Sequence, residues 1–302
     1  MKKFISIVIA TFIATTAITV SAEAQIPKKL KGNGVIVTKN LPCTTQYSDI
    51  YVSTCIELTV SDRRDGDIII RTDENIMPYV EAMVVDGSFR AWMADGLTKK
   101  HLKNCKIQVE IPYSGVIRKI KASEASSIKI TPDIDSENFD LDLSGASNFE
   151  SGKISTKNAR IFMMGGSIAV IDIDANTLTM NVSGGSSISP LKAFCQNCEI
   201  HTTEAGKIAG NLTTTDLKCE ASGASSIALS GVGRTVEFEV TGASRLSASN
   251  FITDHCTIVA SYASYAYVNC TNSLTADSTG TSRITCTGEC KTTVISDPIV
   301  KK

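Results

Sequence analysis

The chain has 302 residues and a formal net charge of −1, with 30 Lys and Arg set against 31 Asp and Glu interspersed along it. No basic surface is advertised, which argues against partners held by phosphate charge, nucleic acid and anionic lipid alike. Low aromatic content (6 %), abundant Ser, Thr and Gly, and short β-branched runs read as all-β.

Met1 to Lys3 are basic and lead into an apolar run from Phe4 to about Val20, followed by Ala22-Glu23-Ala24 before Gln25. This is the three-part pattern of a secretory signal peptide over residues 1–24, and the run is too short and Thr-rich for a permanent span. No Cys follows it, which argues against lipid anchoring. No second apolar stretch of spanning length follows, so the reading is an exported chain without an integral span: periplasmic, surface-bound or secreted.

Residues 25–112 hold strand-like runs at Val35–Val37, Ile50–Val52, Ile56–Val60, Ile68–Ile70, Val80–Val85, Phe89–Met93 and Ile107–Ile111. Arg64-Asp65-Gly66-Asp67 and Asp86-Gly87 are turn signals between them. The expectation is an N-terminal antiparallel β cap, because an open terminal rung would expose unpaired strand edges.

From residue 113 to 302 a small-residue motif recurs. Its second position falls at Glu124, Gly145, Gly165, Gly184, Glu204, Gly223, Gly242, Tyr262 and Gly280, intervals of 21, 20, 19, 20, 19, 19, 20 and 18. The copies include SEASSI from Ser123, SGASNF from Ser144, SGGSSI from Ser183, SGASSI from Ser222 and TGASRL from Thr241. The copy from Met164 reads one residue short, which predicts an irregularity there.

Four residues before the aligned position stand Ile120, Leu141, Ile161, Met180, Ile200, Cys219, Phe238, Ile258 and Ala276, all apolar. Three before it stand mostly polar residues, among them Lys121, Asp142, Asn181, His201, Glu220 and Glu239. Alternation repeated at this interval predicts strands with one buried face that must stack on their neighbours. The fold read from it is a right-handed parallel, or mixed, β-helix of about nine rungs, about 40 Å long at the inter-strand spacing.

The corner is small because a sharp bend stacked on like bends leaves no room for branched side chains. Glu124, Glu204 and Tyr262 stand where other copies have Gly, so left-handed backbone is not expected to be compulsory there. Two residues further on, Ser recurs in all copies but the one with Gly206, which predicts a stacked hydroxyl ladder.

Several groups are candidates for chemistry. Tyr262, Tyr265 and Tyr267 crowd one corner, with Tyr265 between Arg245 and Arg283 in the repeat register. Aromatic faces flanked by Arg suit a sugar or a protein partner; the plainer reading is a stabilising cation–π ladder. His201 stands in the outward row with Asn181, Glu220 and Glu239, an arrangement open to acid–base cleavage of a polysaccharide or to a merely solvated face. Cys195/Cys198 and Cys286/Cys290 have spacings seen in metal and redox sites, yet Cys198, Cys219 and Cys256 fall in inward columns and read as core. Cys270 and Cys290, one rung apart, and Cys43 and Cys55, across a hairpin, are candidate disulfides. Asp133, Asp135, Glu137, Asp140 and Asp142 lack EF-hand spacing and read as a solvated loop. No cofactor or metal is called for.

The block GDIIIRTDENIMPYVEAMVVDG, followed by serial SGAS and SGGS motifs in a chain with a leader, resembles the "putative auto-transporter adhesin, head GIN domain" family. These are exported proteins common in Bacteroidetes, and the likeness runs from about Gly34 to Ile295. It implies a β-helical, adhesin-like surface or periplasmic protein and brings no catalytic residues. The family's commoner Ser-Gly-Ser-Gly corner is replaced here by Ala or Gly third and Ser fourth. A non-enzymatic interaction surface for a cell-surface glycan or protein is therefore the leading reading. A carbohydrate-active enzyme and a self-assembling envelope element are the alternatives.

Overall fold

Strands whose apolar side chains alternate with polar ones hold together only by stacking, and here they stack rung on rung. The computed structural model describes residues 29–301 apart from 44, 65, 95, 297 and 298; the expected leader, residues 1–24, lies outside these. The chain is an all-β solenoid of about nine coils with no α-helix among the described residues. Successive repeats pair in parallel from Lys119–Ala122 to Arg283–Thr287.

The inward column is continuous. Ile120 pairs with Leu141, Leu141 with Ile161, then Met180, Ile200, Cys219, Phe238, Ile258 and Ala276. All are buried. Each large aliphatic side chain so placed contributes roughly 1.5–3 kcal/mol from removal of apolar surface from water.

Three bends close a coil. The small-residue corner is the first. Register breaks after Ala169, Ile188 and Ala228 mark the second. The third leaves Glu137, Lys157, Asn176, Gln196, Thr215 and Arg234 out of the pairing. Neighbouring coils adapt to each other's bulk: Gly231 pairs with Phe251, and a Cβ on Gly233 would lie 2.8 Å from the Phe251 ring.

The N-terminal region contains the expected antiparallel pairs, Ile36–Pro42 with Asp67–Asp73 and Val80–Val85 with Ser88–Met93. It also continues the solenoid. Asp49–Val52 and Ile56–Ser61 pair in parallel with Lys119–Ala122 and Ser127–Ile130, adding a coil without the full motif. Ser88–Met93 and Ile107–Pro112 stack in parallel on that coil in turn. Val80–Val85 then covers the edge of Ser88–Met93, and Asp67–Asp73 that of Ile107–Pro112.

Two local expectations are refined. The copy at Met164 keeps its register through the corner, with Asn148 opposite Ile168 and Phe149 opposite Ala169, and the expected irregularity falls just after it, between Ala169 and Ile171. Ile168 takes the outward position, and the buried one holds the smaller Ala169. Asp135, Glu137, Asp140 and Asp142 lie not in a loop but on the strand Ile134–Leu143. There, Lys157 reaches Glu137 at 2.8 Å and Lys121 reaches Asp142 at 3.1 Å across rungs.

Candidate interaction surface

The corner is built from left-handed backbone. Glu124, Glu204 and Tyr262, expected to escape that geometry, adopt φ of 54°, 49° and 60° like the glycines they replace, which corrects the expectation. An L-residue held in this backbone region carries a strain of about 1–2 kcal/mol. In the first six copies the third residue is left-handed as well; in the last three only the second is. These are the signatures of type I′ and type II′ turns respectively.

The motif serines line the inside of the corner. Ser126, Ser147, Ser167, Ser186, Ser225, Ser244, Ser264 and Ser282 are all buried. Their hydroxyls do not form the expected hydroxyl-to-hydroxyl chain. Ser147 Oγ donates to Ser144 O at 2.7 Å, closing its own turn, and Ser167 Oγ accepts the Ser147 N–H at 3.3 Å, tying one rung to the next. Ser167 plays both parts, its Oγ also donating to Met164 O at 2.9 Å, while Ser186 accepts from Ser167 N and Ser244 from Ser225 N. Gly206 breaks the row because a Cβ there would lie 2.4 Å from Val182 O.

Stacking in register brings the tyrosine and arginine candidates together. Arg245 pairs with Tyr265 and Tyr265 with Arg283, in the outward row beside the corner. The Arg245 guanidinium lies 6.0 Å from the Tyr265 ring centroid, the outer limit of a cation–π contact. Tyr262, at the tip of its corner, is 72 % exposed and Tyr265 44 % exposed. Tyr267, two residues further along the same outward face, is half-buried. The result is a strip in which Tyr265 stands between Arg245 and Arg283 in register, with Tyr262 exposed at the adjoining corner.

On the other side of the corner the outward row becomes a shallow groove. His201 is held between two carboxylates, its Nε2 2.9 Å from Glu199 and its Nδ1 2.9 Å from Glu220. Lys218 Nζ lies 2.7 Å from Glu220 and holds its carboxyl below the usual range, with His201 adding to the effect. Thr177, Thr179, Asn197, Asp216, Thr235 and Glu237 extend this surface along the neighbouring rows. Sequence reasoning placed His201 and Glu220 together but missed Glu199, Lys218 and Glu237. They lie two residues along the same strands, and the outward alternation was the signal that could have found them.

All ten cysteines are free thiols. The Cys43 and Cys55 pairing expected across a hairpin is corrected. Cys55 lies at the corner turn, its N–H donating to Glu124 O at 3.0 Å, whereas Cys43 lies near Tyr47, Gly66 and Tyr113. The thiol beside Cys55 is Cys105. Cys270 and Cys290 do meet at the last turns, together with Cys286, whose thiol burial pushes up to about 12. Cys195 and Cys198 are buried side by side; the Cys198 thiol draws Cys195 below the usual thiol range, and Cys198 is raised in return. Cys198, Cys219 and Cys256 sit in the core as expected. Among the described residues no three metal-ligating side chains gather.

Two solved structures resemble this fold over nearly its whole length. One is a "putative adhesin" from Parabacteroides merdae, 17 % identical, with a TM-score of 0.50, covering 91 % of this chain and 96 % of that one. The other is a "putative lipid binding protein" from Parabacteroides distasonis, 16 % identical, with a TM-score of 0.51, covering 91 % and 100 %. At such identities the likeness is one of fold. A search of the curated proteins finds no match. A family model matches residues 46–201 and again 191–290, spanning the parallel coil before the motif and the repeats that follow. The chain belongs to the family described as "putative auto-transporter adhesin, head GIN domain".

Proposed function

We propose that the protein is exported and acts as an adhesin-like scaffold, presenting the strip of Tyr262, Tyr265, Arg245 and Arg283 to a saccharide or protein at the cell envelope. The observation that carries this reading is the exposure of two tyrosine rings on a rigid sheet. In water an open ring loses apolar surface burial it would gain against a sugar face or a partner, and the rigid backbone leaves little ordering to offset on binding. A glycan array probed with the full mature chain tests it. Tyr265→Ala is expected to weaken binding at least tenfold, equivalent to about 1.4 kcal/mol, with an unchanged circular dichroism spectrum. Equal binding by the variant removes the strip from consideration.

A second reading, acid–base cleavage of a polysaccharide, is favoured by the carboxylates converging on His201. Glu220 is held ionised by Lys218, so it is unsuited to protonating a leaving group, and His201 would have to be the acid. Release of reducing ends from a polysaccharide panel, lost in His201→Ala, would support this reading; no release by the parent chain rejects it.

A further inference from the structure

The stacked corner turns change polarity once along the solenoid. From the coil before the motif onward, the third residue of each turn donates its N–H to the second residue's carbonyl in the following rung. Cys55 N reaches Glu124 O at 3.0 Å, Ala125 N reaches Gly145 O at 2.7 Å, and the series continues to Ala205 N and Gly223 O at 3.0 Å. In the last rungs donation runs backward: Ala263 N reaches Gly242 O at 3.0 Å and Thr281 N reaches Tyr262 O at 2.8 Å. The reversal coincides with the change of turn type between Ala224, at φ 65°, and the turn at Gly242, where only the second residue is left-handed. Type I′ and II′ turns differ by a half-rotation of the central peptide, which exchanges its C=O and N–H directions.

The junction therefore has a consequence for two amides. Gly223 O is taken by Ala205 and Gly242 O by Ala263, so the N–H groups of Ala224 and Ala243 point toward each other across one rung spacing. Neither has a backbone acceptor among the described residues, and both residues are exposed. With strands about 4.8 Å apart, an oxygen displaced about 1.6 Å outward from the midpoint lies about 2.9 Å from both nitrogens. Two convergent donors with no acceptor form a concavity of positive potential, the backbone arrangement that takes anions elsewhere.

The side chains on that flank carry the matching charge. Lys207, Arg245 and Arg283 share the outward row beside the corner. None is in an ion pair among the described residues. Arg245 stands two residues after Ala243. We infer that the facing amides of Ala224 and Ala243, with Arg245 beside them, form a binding site for an oxyanion, a carboxylate or a sulfate group. This rests on the proposed strip insofar as the oxyanion is carried by the same ligand, one edge of which lies on Tyr265.

Amide-resolved NMR of the full mature chain, titrated separately with sulfate, glucuronate and glucose, tests the site. Saturable shifts of the Ala224 and Ala243 amide protons are expected with sulfate and glucuronate and not with glucose. Arg245→Ala should weaken the response about tenfold. The double variant Gly242→Asn with Ala243→Gly favours a type I′ turn, gives the Ala224 N–H a carbonyl acceptor, and should abolish its response while the fold persists. Absence of a saturable shift at both amides of the parent chain, with water alone filling the notch, overturns the proposal. Tyr265→Ala separates it from the strip: a retained sulfate response with lost glycan binding supports both readings. A retained response with unchanged glycan binding rejects the strip and keeps the amide site.

Discussion

At the scale of single residues, the corner shows how one backbone demand is met by different side chains. Gly, Glu and Tyr all take the left-handed position, but only Gly does so without steric cost. Glu204→Gly is therefore expected to stabilise the protein by about 1 kcal/mol, measured as a higher urea midpoint with an unchanged slope. Gly184 differs, since a Cβ there would lie 2.8 Å from Gly165 N, so the exchange runs only one way. The carboxyl of Glu220 gives a second prediction. Its folded-state pKa is depressed chiefly by Lys218, so whatever stability the pair contributes is present above the ordinary carboxylate pKa and lost as pH falls through the depressed value. In Lys218→Ala the Glu220 titration should move up toward the usual range by carbon-detected NMR; an unmoved titration would show His201 to be the dominant partner.

At the scale of elements, each coil is shaped by the one beside it. The strand Ser226–Val240 has Gly233 where Phe251 of the strand Arg245–Ala260 needs room. Phe251 is fully buried, and Phe251→Ala is expected to cost about 3–5 kcal/mol in chemical denaturation. Gly233→Ala should also destabilise by overpacking, but much less so in the Phe251→Ala background, where the cavity receives the added methyl. Additive losses in the double variant would show that the two coils do not share this space. The columns of Ile, Leu and Met were legible in the sequence because inward positions recur once per coil. The Gly and Phe complementarity was not, because the register break after Ala228 shifts which residues face each other.

At the scale of the molecule, stability is distributed along one axis, each coil touching only its neighbours. The N-terminal end is covered by antiparallel strands, whereas among the described residues the strand Lys291–Ser296 pairs only with Tyr265–Ser278 and has Val294 and Ile295 exposed. Amide exchange should therefore be slowest in the middle coils and fastest in Lys291–Ser296, with the capped end intermediate; uniform protection from end to end would indicate a single cooperative unit instead. The repeat interval, the buried columns, the corner serines and the family likeness were all readable from the amino-acid sequence, because periodicity in hydrophobicity and side-chain size is a local property that survives without coordinates. Two things were decided only by the tertiary structure: the parallel coil formed by Asp49–Ser61 without the full motif, and the opposed amides at Ala224 and Ala243. Each depends on which rung lies above which and on the direction a peptide plane faces, and neither quantity is written in the identity of any one residue.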